Sequence, residues 1–228
     1  IKYVHQGLSM DIKSLVIYGS TARGDQTEAS DVDMFAIYDG LHYKMIVKGK
    51  LNIAMYPVAL AKKIMEGGSL FALHLKEEGL PIFNEELFES ISSSFKYKEN
   101  YSDDIDTATK LLHFICAENN NIQNKFLMNK RISWCVRTIL ISLSAEMRAP
   151  IFAKESLALK FSTELITHQD ISTLIDLKSS KDDSKKLIPI CQNFLSVYGV
   201  RVNGFMTHPF LRKSIKSLTN GNGTSFNY

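Results

Sequence analysis

The chain has few cysteines, a single tryptophan, little net charge and no long apolar run. No segment is long and apolar enough to span a bilayer, and the start does not resemble a signal peptide, so a cytoplasmic protein with no membrane contact is expected. The chain opens on Ile1 instead of Met, which leaves room for residues upstream. The three cysteines, Cys116, Cys135 and Cys191, are far apart, and an odd count argues against a disulfide framework. No Cys/His spacing resembles a zinc site, so buried thiols in a reducing compartment are expected. A net charge of +3 tolerates an anionic substrate without pointing to a large nucleic-acid interface. No internal repeat is evident. What is present is enough apolar character for a globular core in one large or two modest domains over 228 residues.

The chain changes character near Lys96. Before it, β-like runs (Ser14–Tyr18, Met34–Tyr38, Tyr43–Val47, Leu51–Tyr56) are followed by helical stretches at Ala59–Glu66 and Leu70–Glu77. Leu80–Phe83, with Pro81, reads as a short edge strand. After the polar bridge Lys96–Tyr101 the strand signals nearly vanish. Ser102 with Asp103 and Asp104 makes a helix start for Ile105–Glu118, and Asn119–Asn121 breaks that helix. Lys125–Arg148 reads as a long helix stopped by Pro150, followed by helices at Ser156–Leu165, Gln169–Lys178 and Ser184–Tyr198. A polar tail, 218–228, closes the chain.

Chemistry concentrates in one short stretch. The apolar run Val16-Ile17-Tyr18 ends in Gly19-Ser20, a polar loop follows, and Asp31-Val32-Asp33 opens the next apolar run. Alternate side chains of a strand share a face, so Asp31 and Asp33 would present two carboxylates side by side. Such a pair repels itself unless a cation intervenes, and a hard divalent ion, usually Mg²⁺, suits oxygen ligands. Gly19 lets backbone approach a ligand, while free N–H groups and the Ser20 hydroxyl suit phosphate oxygens. Phosphate grip and metal carboxylates on one unit point to a nucleoside triphosphate.

Gly19-Ser20-Thr21-Ala22-Arg23-Gly24, then Ser30-Asp31-Val32-Asp33, resembles the signature of the DNA polymerase β-like nucleotidyltransferases, closest to their minimal branch. The likeness extends more weakly to about Phe83. It implies an α+β architecture: a mixed-sheet nucleotidyltransferase domain over 1–96, then an all-α helical bundle over 97–228, with the site between them. It also implies that Gly19 and Ser20 hold the β- and γ-phosphates, that Asp31 and Asp33 hold Mg²⁺, and that a nucleoside monophosphate, AMP from ATP in the first instance, passes to a hydroxyl. Arg23 would touch phosphate or pin the turn through Asp25 or Glu28. The family usually has a helix before its first strand, for which Tyr3–Asp11 is the available segment. Lys130-Arg131, Arg137 and Glu146–Phe152 resemble the helical domain appended to many such enzymes. Lys130 and Arg137 would share a helix face and reach phosphates, or stand on a solvated basic face. Trp134 would stack on a base or pack in the core.

The resemblance breaks at one place. The next strand, Lys50–Tyr56, should carry a third carboxylate, but alternation puts Asn52, Ala54 and Tyr56 on one face. Neither Asn52 nor Ala54 ionises. An enzyme taking its base from elsewhere, with Glu118 and Glu146 as candidates against a surface salt-bridge role, stands beside a degenerate nucleotide-binding or antitoxin-like module and an engineered inactive variant. The acceptor would be a small molecule such as an aminoglycoside-type antibiotic, a protein side chain as in toxin–antitoxin systems, or an RNA end, with RNA disfavoured by the low charge. A partner protein or a homodimer fits the same class. Lys44, Lys48 and Lys50 would protect a hairpin edge or guide an anionic acceptor.

Overall fold

The computed structural model describes residues 2–5, 8–28, 30–181, 184–200 and 209–219. It divides into two compact units, Ile1–Asn100 and Tyr101–Tyr228. In the first, strands β1 (Lys2–His5) and β2 (Leu8–Tyr18) precede a single helical turn, α1 (Ser20–Arg23). Strands β3 (Val32–Tyr38), β4 (Lys44–Lys48) and β5 (Leu51–Pro57) follow, then helices α2 (Val58–Glu66) and α3 (Leu70–Glu78), strand β6 (Leu80–Phe83) and helix α4 (Glu85–Ser92). The mixed sheet has the order β1-β2-β3-β5-β4, with β6 also pairing β2. β3 runs antiparallel to β2 and parallel to β5.

β3 is the middle of this sheet, and both its faces are covered, as its unbroken apolar run Phe35–Tyr38 requires. Phe35 and Ile37 point into one cluster with Val16, Ala61, Met65, Ala72, Leu75, Phe88 and Ile91, contributed by β2 and α2–α4. Ala36 and Tyr38 point the other way, with Ile12, Ile46, Ile53 and Met55. Phe35 is fully buried among the rings of Tyr56, Phe71 and Phe88, at centroid distances of 5.4, 6.1 and 6.5 Å.

Two local readings are corrected. Of Tyr3–Asp11, the segment expected to form a helix, the described residues lie in β1 and β2 instead. β1 supplies backbone partners to the start of β2, whose pairing then passes to β3 with a register shift between Ile12 and Ser14. Helix α4 was not anticipated. Asn84 accepts a hydrogen bond from the Leu87 N–H, Glu85 and Glu86 sit in the first turn, and Phe88 and Ile91 bury the inner face. Lys44 and Lys48 project to solvent from the edge strand β4, consistent with edge protection.

The second unit is helical: α5 (Ser102–Glu118), α6 (Lys125–Glu146), α7 (Lys154–Lys160), α8 (His168–Asp176), α9 (Ile188–Tyr198) and α10 (Pro209–Thr219), with short 3₁₀ turns at Leu177–Ser179 and Ser184–Leu187. α6 is buried nearly all round, so its polar groups need internal partners. Ser133 Oγ donates to the Ile175 carbonyl at 2.6 Å, and Asn129 Nδ2 to that of Ser180 at 3.0 Å. Asn124 caps α6 through the Leu127 N–H. α7 stops at Lys160, earlier than the spacing suggests, where the Tyr198 hydroxyl donates to the Phe161 carbonyl. α5 begins at Ser102 itself, and the Glu146 carboxylate accepts the Tyr101 N–H at 2.7 Å. Of the tail expected over 218–228, residues 218 and 219 end α10, and the rest lies outside the described residues. Cys116, Cys135 and Cys191 are all buried free thiols. Those of Cys116 and Cys191 share a hydrogen bond, which together with burial pushes Cys191 well above its ordinary value.

The ring cluster around Phe35 should dominate the stability of the first unit. Phe35→Ala is expected to cost about 3–5 kcal/mol, measured by urea unfolding of the whole chain. Leu159→Ala, at an exposed position of the second unit, should change stability by less than about 0.5 kcal/mol.

Candidate active site

The site is built at the point where β2 leaves the sheet. Tyr18, the last residue of β2, pairs with Asp33 on β3, and Asp33 in turn pairs with Asn52 on β5. Gly19 follows with φ 73° and ψ −149°, a conformation that is essentially confined to glycine. A Cβ at Gly19 would lie 3.9 Å from Asp33 Oδ2 and 3.9 Å from His74 Cε1. The space left by the missing side chain is therefore bordered by a carboxylate and an imidazole. Ser20 opens α1, whose first N–H groups lack partners within the turn by helix geometry.

The two carboxylates differ in setting. Asp33 is half-buried on β3, whereas Asp31 is exposed and precedes the strand, which starts at Val32. The chain is anchored between them by the Val32 N–H donating to the Lys50 carbonyl at 2.8 Å. Asn52 Nδ2 donates to Asp33 Oδ1 at 3.0 Å. Of the two positions where a third acid was sought, Asn52 therefore stands beside Asp33, and Ala54 is buried in the sheet. Asp33 keeps Oδ2 on the Gly19 side. Among the described residues, no group of three or more His, Cys, Asp or Glu side chains converges as a metal site. Tyr18 sits against His74, ring centroids 5.3 Å apart, and burial, then the Asp33 charge, pushes its hydroxyl far above its ordinary value.

Arg23 is tied down by acids. Its Nε donates to Asp25 at 3.1 Å and its Nη1 to Glu78 Oε2. Asp25 was one of the two anticipated partners, and Lys50 donates to the carbonyl of the other, Glu28. The same Glu78 Oε2 meets His74 Nε2 at 2.7 Å, one helical turn away on α3. Burial alone would raise the Glu78 carboxyl, but His74 and Arg23 outweigh it and hold the group below its ordinary 4.5. His74 and Glu78 went unnoticed in the sequence. The signal available was their i, i+4 spacing, one turn apart on a predicted helix.

The remaining candidates lie in the second unit. On α6, Lys130 and Arg137 are both half-buried. Lys130 Nζ sits 4.5 Å from the Phe126 ring centroid, and Arg137 donates to the Phe152 carbonyl at 3.0 Å. Trp134 packs on Phe210, centroids 4.7 Å apart. Glu118 accepts from Asn121 at 2.7 Å, and Glu146 accepts the Tyr101 N–H described above. Both carboxylates thus take hydrogen bonds inside their own unit.

Residues 2–108 match the family model of the nucleotidyltransferase domain, a family of the DNA polymerase β-like superfamily. The match extends past Phe83 into the first turns of α5. No curated protein matches the chain. Among the described residues, no helix is long and apolar enough to cross a membrane.

The depressed Glu78 carboxyl stabilises the fold above the ordinary carboxylate range, and this contribution is lost as pH falls through its folded value. The stability gap between wild type and Glu78→Gln should thus be widest at neutral pH and narrow once pH drops below 4.5. Urea unfolding at a series of pH values measures it; a gap that widens in acid would contradict the ion-pair geometry.

Proposed function

We propose that the first unit binds a nucleoside triphosphate, ATP in the first instance, and transfers its nucleoside monophosphate to a hydroxyl, releasing pyrophosphate. The observation that supports this reading is the placement of Asp33 Oδ2 against the Gly19 backbone, inside a segment that matches the nucleotidyltransferase family. Backbone N–H groups at Gly19-Ser20 and the Ser20 hydroxyl would grip the β- and γ-phosphates. Asp31 and Asp33 would hold Mg²⁺. The donor set fits, since Mg²⁺ is commonly bound by one or two carboxylates together with substrate phosphates and water, and Asn52 leaves Oδ2 of Asp33 available. Bound there, the ion supplies charge neutralisation for an in-line displacement at the α-phosphorus. The chain's own contribution is orientation: the β2–β3 pairing sets the distance between phosphate grip and carboxylate, and Asn52 fixes the Asp33 rotamer. A small molecule or a protein side chain suits the mild charge better than an RNA end as acceptor.

A second reading is favoured by the Asn52–Asp33 hydrogen bond. An amide at this place brings neither charge nor basicity, so the site would bind nucleotide without turning it over.

Incubation with each labelled nucleoside triphosphate, Mg²⁺ and candidate acceptors should release pyrophosphate. Asp33→Ala is expected to lower that release by about a hundredfold or more. Release that survives the substitution would overturn the assignment. Nucleotide binding without release, together with release gained in Asn52→Asp, would establish the second reading.

A further inference from the structure

The phosphate grip is bordered by a side chain that no family motif anticipates. His74 Cε1 comes as close to the missing Cβ of Gly19 as Asp33 Oδ2 does, 3.9 Å in each case. A ligand gripped by the Gly19-Ser20 backbone therefore meets an imidazole as well as a carboxylate. His74 does not drift into this place. Ser69 caps α3 by accepting the Ala72 N–H at 3.1 Å, Tyr18 packs edge-on against the ring, and Glu78 Oε2 holds Nε2 at 2.7 Å. That oxygen also receives Arg23, so the far end of the phosphate loop and the imidazole are tied to one atom. Arg23 is thereby committed to acids, which leaves His74 as the basic side chain that borders Gly19.

We propose that His74 is a direct contact of the polyphosphate held at Gly19-Ser20, with Glu78 and Arg23 as the residues that position it. This deepens the nucleotidyltransferase reading and rests on it. The imidazole lies along the β- and γ-phosphates, the part of the substrate that departs as pyrophosphate. A ring already held at Nε2 by a carboxylate meets that part of the ligand at little reorganisation cost. Groups around His74 include Glu78 on its own helix, Tyr18 from β2, Asp33 from β3 across the Gly19 space, and Arg23 through Glu78.

The test uses the full chain, Mg²⁺ and α,β-methylene ATP, which binds but cannot lose pyrophosphate. The Cε1–H resonances of the histidines are followed by ¹H–¹³C correlation, with His74 assigned through His74→Asn. The His74 signal should shift on titration, and calorimetry should show about tenfold weaker binding in His74→Asn and His74→Ala. With labelled substrate, Glu78→Gln should lower kcat more than it raises KM, and a purely structural strap between loop and helix would not produce that split. Analogue binding that moves other resonances but leaves His74 unshifted, with unchanged affinity in both variants, overturns the contact while leaving the nucleotide reading intact. Absence of any binding to the wild type overturns both. His74→Asn keeps a polar side chain of similar size, so the comparison survives if His74→Ala does not fold.

Discussion

Everything at the site depends on β3 being held between an antiparallel neighbour and a parallel one. Pairing with β2 sets Tyr18 opposite Asp33, and pairing with β5 sets Asn52 beside it. Because side chains alternate, a slip of one residue would turn Asp33 away from Gly19 and drive Phe35 out of the ring cluster on the same face. The core thus enforces the register that brings Asp33 to Gly19. Phe35 and Ile37 are buried against α2–α4, while Ala36 and Tyr38 are buried against the opposite cluster, so neither alternative phase is available. Packing and site geometry are one constraint here.

Electrostatics adds a second layer on that frame. Glu78 is a half-buried carboxylate that serves two partners from different elements, Arg23 from α1 and His74 from its own helix. Removing either leaves the other with an under-compensated partner, which costs more than the pair contributes when intact. The loop that follows Gly19 is thereby referenced to α3 and not only to the strand it leaves. Asp25 adds a second acid to Arg23 by accepting from its Nε.

The frame and the site were legible in the sequence to different degrees. The apolar run ending in Gly19-Ser20, the Asp33 position and the alternation that put Asn52 on the site face were readable because strand periodicity is a local property. Asp31 was expected beside Asp33 on the strand, but pairing starts only at Val32, and a strand boundary is set by its neighbours. His74 and Glu78 could not be separated from an ordinary helical i, i+4 pair, since their value comes from Gly19, more than fifty residues earlier. β1 was missed because a family expectation, not periodicity, assigned that segment to a helix. The cysteines stayed uninformative until folding gathered α5, α6 and α9.

The hydrogen bond from Asn52 to Asp33 has a consequence for folding without ligand. A carboxylate in place of the amide would stand about 3 Å from another on adjacent strands. Two such groups cannot both ionise at that separation without a cation or a shared proton. The neutral donor removes that conflict, so β3 and β5 close on each other whether or not a metal ion is at hand. In this chain the strand pairing is independent of ion supply.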